Sequence, residues 1–87
     1  MFLHLGSNEV VYLRDVIAIM DLRAARTSRD VQQFLRGAEM ENRVVNLSDG
    51  NAKSFVICED RVYLSPISST TLRRRTTSLY RVRQQRT

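Results

Sequence analysis

The stretch KSFVICEDRVYLSP, residues 53–66, decides the fold of this chain. Two apolar runs rich in β-branched and aromatic residues flank the polar pair Glu59-Asp60, which predicts two antiparallel strands joined by a tight reversal. Pro66 lacks the amide that a strand ladder requires, so it should end the second strand. The stretch therefore predicts the end of a β-meander.

The residues before this stretch predict a further strand of the same meander. The segment RVVNL, residues 43–47, has the composition of a strand. Ser48-Asp49-Gly50-Asn51 is a strong turn signal, because Gly and Asn tolerate the positive φ of a tight reversal. Residues 43–47 and 53–58 are therefore predicted to pair as a hairpin.

The N-terminal part of the chain predicts three more strands. Residues 2–5 and 10–13 are largely apolar and are separated by Gly6-Ser7-Asn8, which is typical of short strands around a turn. The run VIAIM, residues 16–20, is almost unbroken and too short for a typical helix, so it predicts a strand covered on both faces. We expect this strand at the centre of the sheet.

One amphipathic helix is predicted at about residues 28–41. Thr27 or Ser28 can cap its first turn, and Asp30 favours the positive end of the helix dipole. Apolar residues follow at offsets of three, four and seven, which predicts a stripe that packs on the sheet. The members of this stripe are Val31, Phe34, Leu35 and Ala38.

A short second helix is predicted near the C-terminus. One residue of Ser68-Ser69-Thr70 can cap it, and it should run through Leu72 into the arginines that follow. Together the elements predict an α+β fold: a mostly antiparallel sheet of five to six short strands covered by one main helix, with a short basic C-terminal helix or tail. Residues 1–72 are predicted to form a single α+β domain and residues 73–87 a basic C-terminal extension.

Positive charge is concentrated at the C-terminal end. The net charge is +5, from 14 basic and nine acidic residues. Six arginines and no acid lie in residues 73–87, whereas residues 1–72 carry eight basic and nine acidic residues, or 8 − 9 = −1. A basic segment near nucleic acid releases condensed counterions, so this distribution favours phosphate binding. A solvated tail and a tail that lies on a membrane surface are the alternatives.

The chain carries no recognisable catalytic or cofactor-binding constellation. His4 is the single histidine and Cys58 the single cysteine, so neither a nucleophile–base pair nor a multi-cysteine zinc site is predicted. Cys58 lies in an apolar run and is expected to be buried. We therefore predict no enzymatic activity, no metal and no cofactor. Because there is no long apolar stretch and no recognisable signal peptide, we expect a cytoplasmic protein without a membrane span.

Several segments of the chain carry a family resemblance. They are MFLHLG at residues 1–6, VIAIMD at 16–21, KSFV at 53–56 and VYLSPISS at 62–69, with Thr71-Leu72 shortly after. Together they resemble the RemB branch of the RemA/RemB family of small bacterial extracellular-matrix regulatory proteins, over about residues 1–75. The piece LSPISS, residues 64–69, is the most specific, because general fold physics does not demand it.

The resemblance implies a transcriptional regulator of biofilm-matrix genes. It also implies a ring of identical subunits that binds DNA across many repeated basic contacts. Each subunit of such a ring could bind weakly, because identical sites on one rigid body act together through effective concentration.

The candidate DNA-binding residues follow partly from this resemblance. The RemA branch has an arginine pair in the turn before the strand that begins here near Lys53, and this chain has Gly50-Asn51 at the matching place. Another basic position of that family is occupied here by Asp15, next to Arg14. Because the turn arginines are missing and the tail lacks acids, we hypothesise that phosphate binding has moved to the tail. The candidates are Arg14, Lys53, Arg73, Arg74 and Arg75.

Two alternatives remain open from the sequence. Residues 73–75 could contact the acidic helix end at Glu39 and Glu41, in the same or an adjacent subunit, which would make them assembly contacts. The protein could also be an oligomeric interaction module that binds another regulator without direct DNA contact. Self-association is expected in either case, because so short a chain buries a modest core and gains from a partner that covers apolar surface.

Overall fold

The computed structural model of the protein describes the backbone of residues 1–85 and the side chains of residues 1–77. A single turn of 3-10 helix, Leu13–Asp15, follows the second strand. The regular elements within the described residues are β1 (Phe2–Gly6), β2 (Glu9–Tyr12), β3 (Val16–Asp21), α1 (Ala24–Thr27), α2 (Arg29–Met40), β4 (Val44–Asn46), β5 (Ser54–Cys58), β6 (Val62–Ser65) and α3 (Ser69–Gln85). This arrangement confirms the predicted α+β class with six short strands.

The strands form a two-stranded ribbon and a four-stranded sheet. β1 and β2 pair antiparallel in the ribbon, and the sheet has the order β3-β5-β6-β4. In the sheet β5 is antiparallel to both of its neighbours, and Val56 lies opposite Ile19 on one side and Tyr63 on the other. Only the pairing of β4 with β6 is parallel. The sheet is therefore mostly antiparallel, as predicted, and the β5–β6 reversal at Glu59-Asp60 is confirmed.

The predicted hairpin between residues 43–47 and 53–58 is wrong. β4 lies parallel to β6, with Val44 opposite Val62, and does not touch β5 in the ladder. The amide of Leu47 donates to the carbonyl of Leu64 at 2.9 Å, so the chain leaves β4 along the outer side of β6. The turn signal at residues 48–51 marks a real bend, with Gly50 at φ +78°, but the loop that contains it crosses the end of β6 before β5 begins.

The predicted central position of the third strand is also wrong. β3 is an edge strand of the sheet, and the Ile17 side chain is 65% exposed. The centre belongs to β5 and β6, where Phe55 and Val56 are almost completely buried. The apolar run of β3 is partly covered because α3 lies beside it, and a helix can supply that cover as well as a second strand can.

The two faces of the sheet carry two apolar cores. Side chains alternate along β5 and β6, so successive residues enter opposite cores. On one face α2 packs through Ala38 against Phe55 and Val62. On the other face the ribbon and α3 enclose the larger cluster, formed by Leu3, Leu5, Val56, Cys58, Tyr63 and Leu72. The burial predicted for Cys58 is confirmed.

The helix α2 follows its prediction closely. The Ser28 hydroxyl accepts a hydrogen bond from the amide of Val31 at 3.2 Å, which confirms Ser28 as the cap. Val31, Leu35 and Ala38 pack on the sheet as expected, whereas Phe34 is 38% exposed and does not belong to the core.

The C-terminal helix is longer than predicted. α3 runs to Gln85 and crosses the predicted boundary between residues 72 and 73 without a break, so α2 is not the one main helix of the fold. Residues 86–87 of the predicted basic extension lie outside the described residues. Among the described residues, no helix is both long and apolar enough to cross a membrane.

Candidate anion-binding surface

Two buried serines fix the connection between β6 and α3. The Ser65 hydroxyl donates to the Leu5 carbonyl at 2.6 Å and accepts from the amide of Ile67 at 3.0 Å. The Ser54 hydroxyl donates to the Ile67 carbonyl at 2.7 Å. Both serines are fully buried, where an unsatisfied polar group is costly, so these partners hold the connection in one conformation. This gives a physical role to the family-like segment at residues 64–69.

The start of α3 follows directly from this connection. The Ser68 hydroxyl accepts from the amide of Thr71 at 3.2 Å, which identifies Ser68 as the cap among the three predicted candidates. One turn later Leu72 is fully buried in the larger core. The capped end and the buried leucine together fix how the helix is rotated, and they therefore fix the directions of the three arginines that follow.

Two of these arginines contact the body of the protein. The Arg73 Nη2 donates to the Ile19 carbonyl of the edge strand β3 at 2.6 Å. The Arg75 Nη1 lies 3.5 Å from the His4 carbonyl of β1, a long hydrogen bond. Neither contact is with Glu39 or Glu41, so within one chain these arginines tie α3 to the strands on its two sides.

The third arginine points away from the protein body. Successive residues of a helix are about 100° apart, so Arg74 lies about 200° around α3 from Leu72, on the solvent side. Its side chain is exposed and makes no hydrogen bond or ion pair with the described part of the chain. Of the three consecutive arginines predicted to bind DNA, Arg74 is thus the one whose guanidinium is not engaged with backbone.

Lys53 is held by the backbone at the edge of a cleft. Its amide donates to the Ser65 carbonyl at 2.8 Å, and its carbonyl accepts from the amide of Leu22 at 3.1 Å. The side chain itself is exposed. The cleft has a volume of about 300 Å³ and is lined by Asp21, Leu22, Arg23, Arg26, Ala52, Lys53 and Ser68.

One ion pair neutralises part of the charge in this cleft. The Arg23 guanidinium donates to both carboxylate oxygens of Asp21, at 3.1 Å from Nε and 2.7 Å from Nη2, and the Arg23 amide adds a bond of 2.8 Å. These hydrogen bonds, together with the charges of Arg23 and Arg73, lower the pKa of Asp21. Asp21 therefore remains a carboxylate paired with Arg23, and the positive charges of Arg26 and Lys53 are left without an acidic partner among the described residues.

Arg14 lies at the opposite end of the sheet. Its guanidinium stacks over the Tyr12 ring at 4.7 Å from the ring centre. The β3–β5 ladder runs from Val16 opposite Cys58, near Arg14, to Asp21 opposite Ser54, near Lys53. Five residue steps along a strand span ~17 Å, so one chain does not bring Arg14 and Lys53 together. Beside Arg14 is a cavity of about 370 Å³ whose lining includes Asp15, Glu59, Asp60 and Arg61.

Arg23 and Arg26 were not predicted as site residues from the sequence. Both follow the end of β3, and α1, which positions Arg26, was not predicted. The sequence did contain a usable signal. Arg23 and Arg26 are three residues apart directly after a predicted strand, and residues at this spacing lie on one side of a helical turn. The structure adds what the spacing could not indicate, namely that Lys53 lies across the same cleft.

Exposed apolar side chains cover part of the ribbon. Phe2 and Tyr12 lie opposite each other in the β1–β2 ladder, with ring centres 4.7 Å apart, and Val10 is on a neighbouring position. Phe2 is 56% exposed and Val10 is 50% exposed. Apolar surface gathered in this way favours a protein contact.

Comparison with known proteins places the chain in a family. The family model described as RemA-like, "Extracellular matrix regulatory protein A-like", matches residues 2–76. "Extracellular matrix regulatory protein B" of Bacillus subtilis (strain 168) is 35% identical over 82 residues, which are 94% of this chain and 98% of that protein. These two matches confirm the resemblance predicted from the sequence segments: the chain belongs to the RemA-like family of extracellular matrix regulatory proteins, on its RemB-like side.

Proposed function

We propose that this protein is a transcriptional regulator of extracellular-matrix genes that binds the DNA backbone as a homo-oligomer. One observation carries the proposal: most exposed cations, among them Arg26, Lys53 and Arg74, have no acidic partner among the described residues. Cations that are not already paired can bind phosphate and release condensed counterions. The regulatory role is supported by the family to which the chain belongs.

Binding to the DNA backbone discriminates only modestly between base sequences. α2 packs its apolar side on the sheet, and its polar side mixes arginines with Asp30 and Glu39, so it lacks the character of a basic recognition helix. Phosphate contacts position a protein on DNA but do not read bases. Specificity would come from DNA shape and from the spacing of repeated contacts.

In an oligomer, weak contacts between each subunit and DNA are sufficient for binding. One subunit can contact few phosphates at a time, and several subunits in a ring would present the same cations at a regular spacing. The exposed apolar side chains of the ribbon, Phe2, Val10 and Tyr12, together with Ile17 on the edge strand β3, supply surface for self-association. A closed ring would bury this surface in every copy, which suits a small domain with a modest core.

A second candidate is an oligomeric interaction module that binds another regulator and never touches DNA. The same exposed ribbon favours it, because Phe2 and Tyr12 form an aromatic pair on the surface. The Gly50-Asn51 turn also favours it, since that turn lacks the arginine pair of the RemA branch.

The deciding experiment is a DNA-binding titration at a low and a high salt concentration. Two DNA fragments of unrelated sequence are used, and the oligomeric mass is measured in parallel. The proposal expects an oligomer that binds both fragments at low salt and loses affinity steeply as salt rises, with a log–log slope of about −0.9 for each bound phosphate. An intact oligomer that binds neither fragment at low salt would favour the interaction module.

A matched pair of variants assigns the effect to the C-terminal helix. Arg74→Gln should weaken binding to both fragments alike and make the salt slope less negative. Arg36→Gln removes the same charge from an exposed position on α2 and should leave the slope nearly unchanged. Equal slopes for the two variants would contradict a role for Arg74 in phosphate binding.

A further inference from the structure

We propose that the cleft between the end of β3 and the start of α3 is the phosphate site of this protein, with Arg26 and Lys53 as the ligands of a DNA phosphodiester. This inference rests on the proposed function and identifies the residues that would carry it. It replaces Arg73 and Arg75, whose guanidinium groups donate to the Ile19 and His4 carbonyls, as the principal phosphate ligands.

The two ligands come from different elements, and backbone hydrogen bonds fix both of them. Arg26 belongs to α1, which is held to the end of β3 by the bond from the Ala25 amide to the Leu22 carbonyl at 3.0 Å. Lys53 is fixed by bonds to Ser65 and Leu22, on β6 and next to β3. The Leu22 backbone is thus shared by both sides of the cleft. A site built on such connections is partly organised before an anion arrives, which lowers the entropic cost of binding.

The carboxylate in the cleft does not compete with an incoming anion for the ligands. Asp21 is bound by the Arg23 guanidinium and by the Arg23 amide, so its charge is compensated locally. Three positive side chains and one negative one line the cleft, and the excess belongs to Arg26 and Lys53. A guanidinium and an ammonium together suit phosphate, since the first is a planar fork and the second a compact charge.

The position of the cleft suits a polymer better than a small molecule. Both ligands are exposed, so a phosphate on a DNA strand can reach them without entering the protein. Ser68 lines the cleft and caps α3, and six residues later Arg74 is exposed on the same helix. Arg74 lies about 240° around the α3 axis from Ser68, so it is an exposed cation separate from the cleft.

The test compares two double variants that lose the same charge. Arg26→Gln with Lys53→Gln removes the proposed ligands, and Arg29→Gln with Arg36→Gln removes two exposed cations from α2. DNA affinity is measured against salt for both, with thermal stability and oligomeric mass as fold controls. We expect the cleft variant to lose at least tenfold in affinity at low salt and to flatten the salt slope by about 0.9 for each phosphate that it no longer binds, while the α2 variant changes little.

A second measurement separates the two possible sources of phosphate. Inorganic phosphate and a mononucleotide are titrated into the unmodified protein, and the amide resonances of Leu22 and Lys53 are followed by NMR. We expect only weak shifts at millimolar ligand, because a single phosphate cannot make the additional interactions of a polymer.

Three results would overturn the inference. If the two double variants lost equal DNA affinity, the overall positive charge of the protein, and not the cleft, would be what attracts DNA. Unchanged DNA binding by the cleft variant, combined with strong shifts from the mononucleotide, would assign the cleft to a small phosphorylated ligand. If the unmodified protein binds no DNA, the proposed function fails, and an absence of phosphate shifts at Lys53 would then overturn the cleft as an anion site independently.

Discussion

The Ser65 hydroxyl donates a hydrogen bond of 2.6 Å to the Leu5 carbonyl, and both residues are completely buried. The bond joins the last strand of the sheet to the first strand of the chain, across 60 residues of sequence. The same hydroxyl accepts from the Ile67 amide on the path to α3. One side chain thereby fixes both the ribbon and the start of the helix that carries Arg73, Arg74 and Arg75.

Ser65→Ala should destabilise the protein by about 1–3 kcal/mol, because it leaves a buried carbonyl and a part-buried amide without their shared partner. Urea unfolding measures this loss. Thr70→Ala is the control, since Thr70 is exposed in the first turn of α3 and its change should lie within about 0.5 kcal/mol of zero. A loss for Ser65→Ala no larger than that of the control would contradict the role given to this hydroxyl.

Gly6→Ala should be more destabilising than Gly50→Ala. Both glycines have positive φ, +113° and +78°, which costs an alanine on the order of 1–2 kcal/mol. At Gly6 the added Cβ would also lie 3.0 Å from the Pro66 Cδ, whereas at Gly50 it meets no atom within 4 Å. The difference between the two melting temperatures isolates the clash with Pro66. Equal melting temperatures of the two variants would show that the β1–β2 ribbon moves away from Pro66 without a loss of stability.

Arg73→Ala should lower stability, whereas Arg74→Ala should leave it nearly unchanged. Arg73 donates to the Ile19 carbonyl, and loss of such a bond from an exposed side chain costs about 0.5–1.5 kcal/mol. Arg74 has no comparable hydrogen bond within the described residues. Thermal unfolding of the two variants, which lose the same charge, checks the assignment. If Arg74→Ala proved the more destabilising, the orientation given to α3 would be wrong.

Stability should fall as the pH rises above about 9. Burial, and then the charge of Asp15, raise the pKa of Cys58 above its ordinary value of 9.0. Above that value the unfolded chain releases the thiol proton while the folded chain retains it, so the unfolded state binds fewer protons and the free energy of unfolding decreases with pH. The contribution of this residue is fully present below pH 9 and is lost as the pH rises through the folded pKa.

Urea unfolding at pH 8 and pH 10 tests this dependence. Cys58→Ala should lose less stability between the two pH values than the unmodified protein, even if it is less stable at both. A residual decrease is expected in the variant, because burial and the charge of Glu9 raise the pKa of Tyr63 as well. Identical decreases in the two proteins would exclude Cys58 as a source of the effect.

The sequence predicted the local structure of α2 and of the β5–β6 reversal well. The offsets of Val31, Leu35 and Ala38 and the capping Ser28 predicted α2, because helix periodicity and caps are encoded within a few residues. The reversal at Glu59-Asp60 was predicted for the same reason. Phe34 was the exception, since periodicity places a side chain on one side of a helix without stating how far the sheet extends beneath it.

The candidate site was predicted only in part. Lys53 was identified from the family resemblance, and the structure adds Arg26 across the cleft from it. The arginines at residues 73–75 were treated as equivalent because they are identical in sequence. Their positions on a helix of 3.6 residues per turn make them different: two reach backbone carbonyls and Arg74 faces solvent.

By itself the sequence determined the six strand segments, the helix α2, the start of α3 and the family to which the chain is related, because these properties depend on residues close together along the chain. The short helix α1 was not among them. Only the tertiary structure decided that β4 pairs with β6, that β3 is an edge strand and that Arg26 lies across a cleft from Lys53. An apolar strand pattern indicates that a segment pairs with other strands, but it does not indicate which strands these are. The choice among partners is made by the packing of all elements at once, which no local stretch contains.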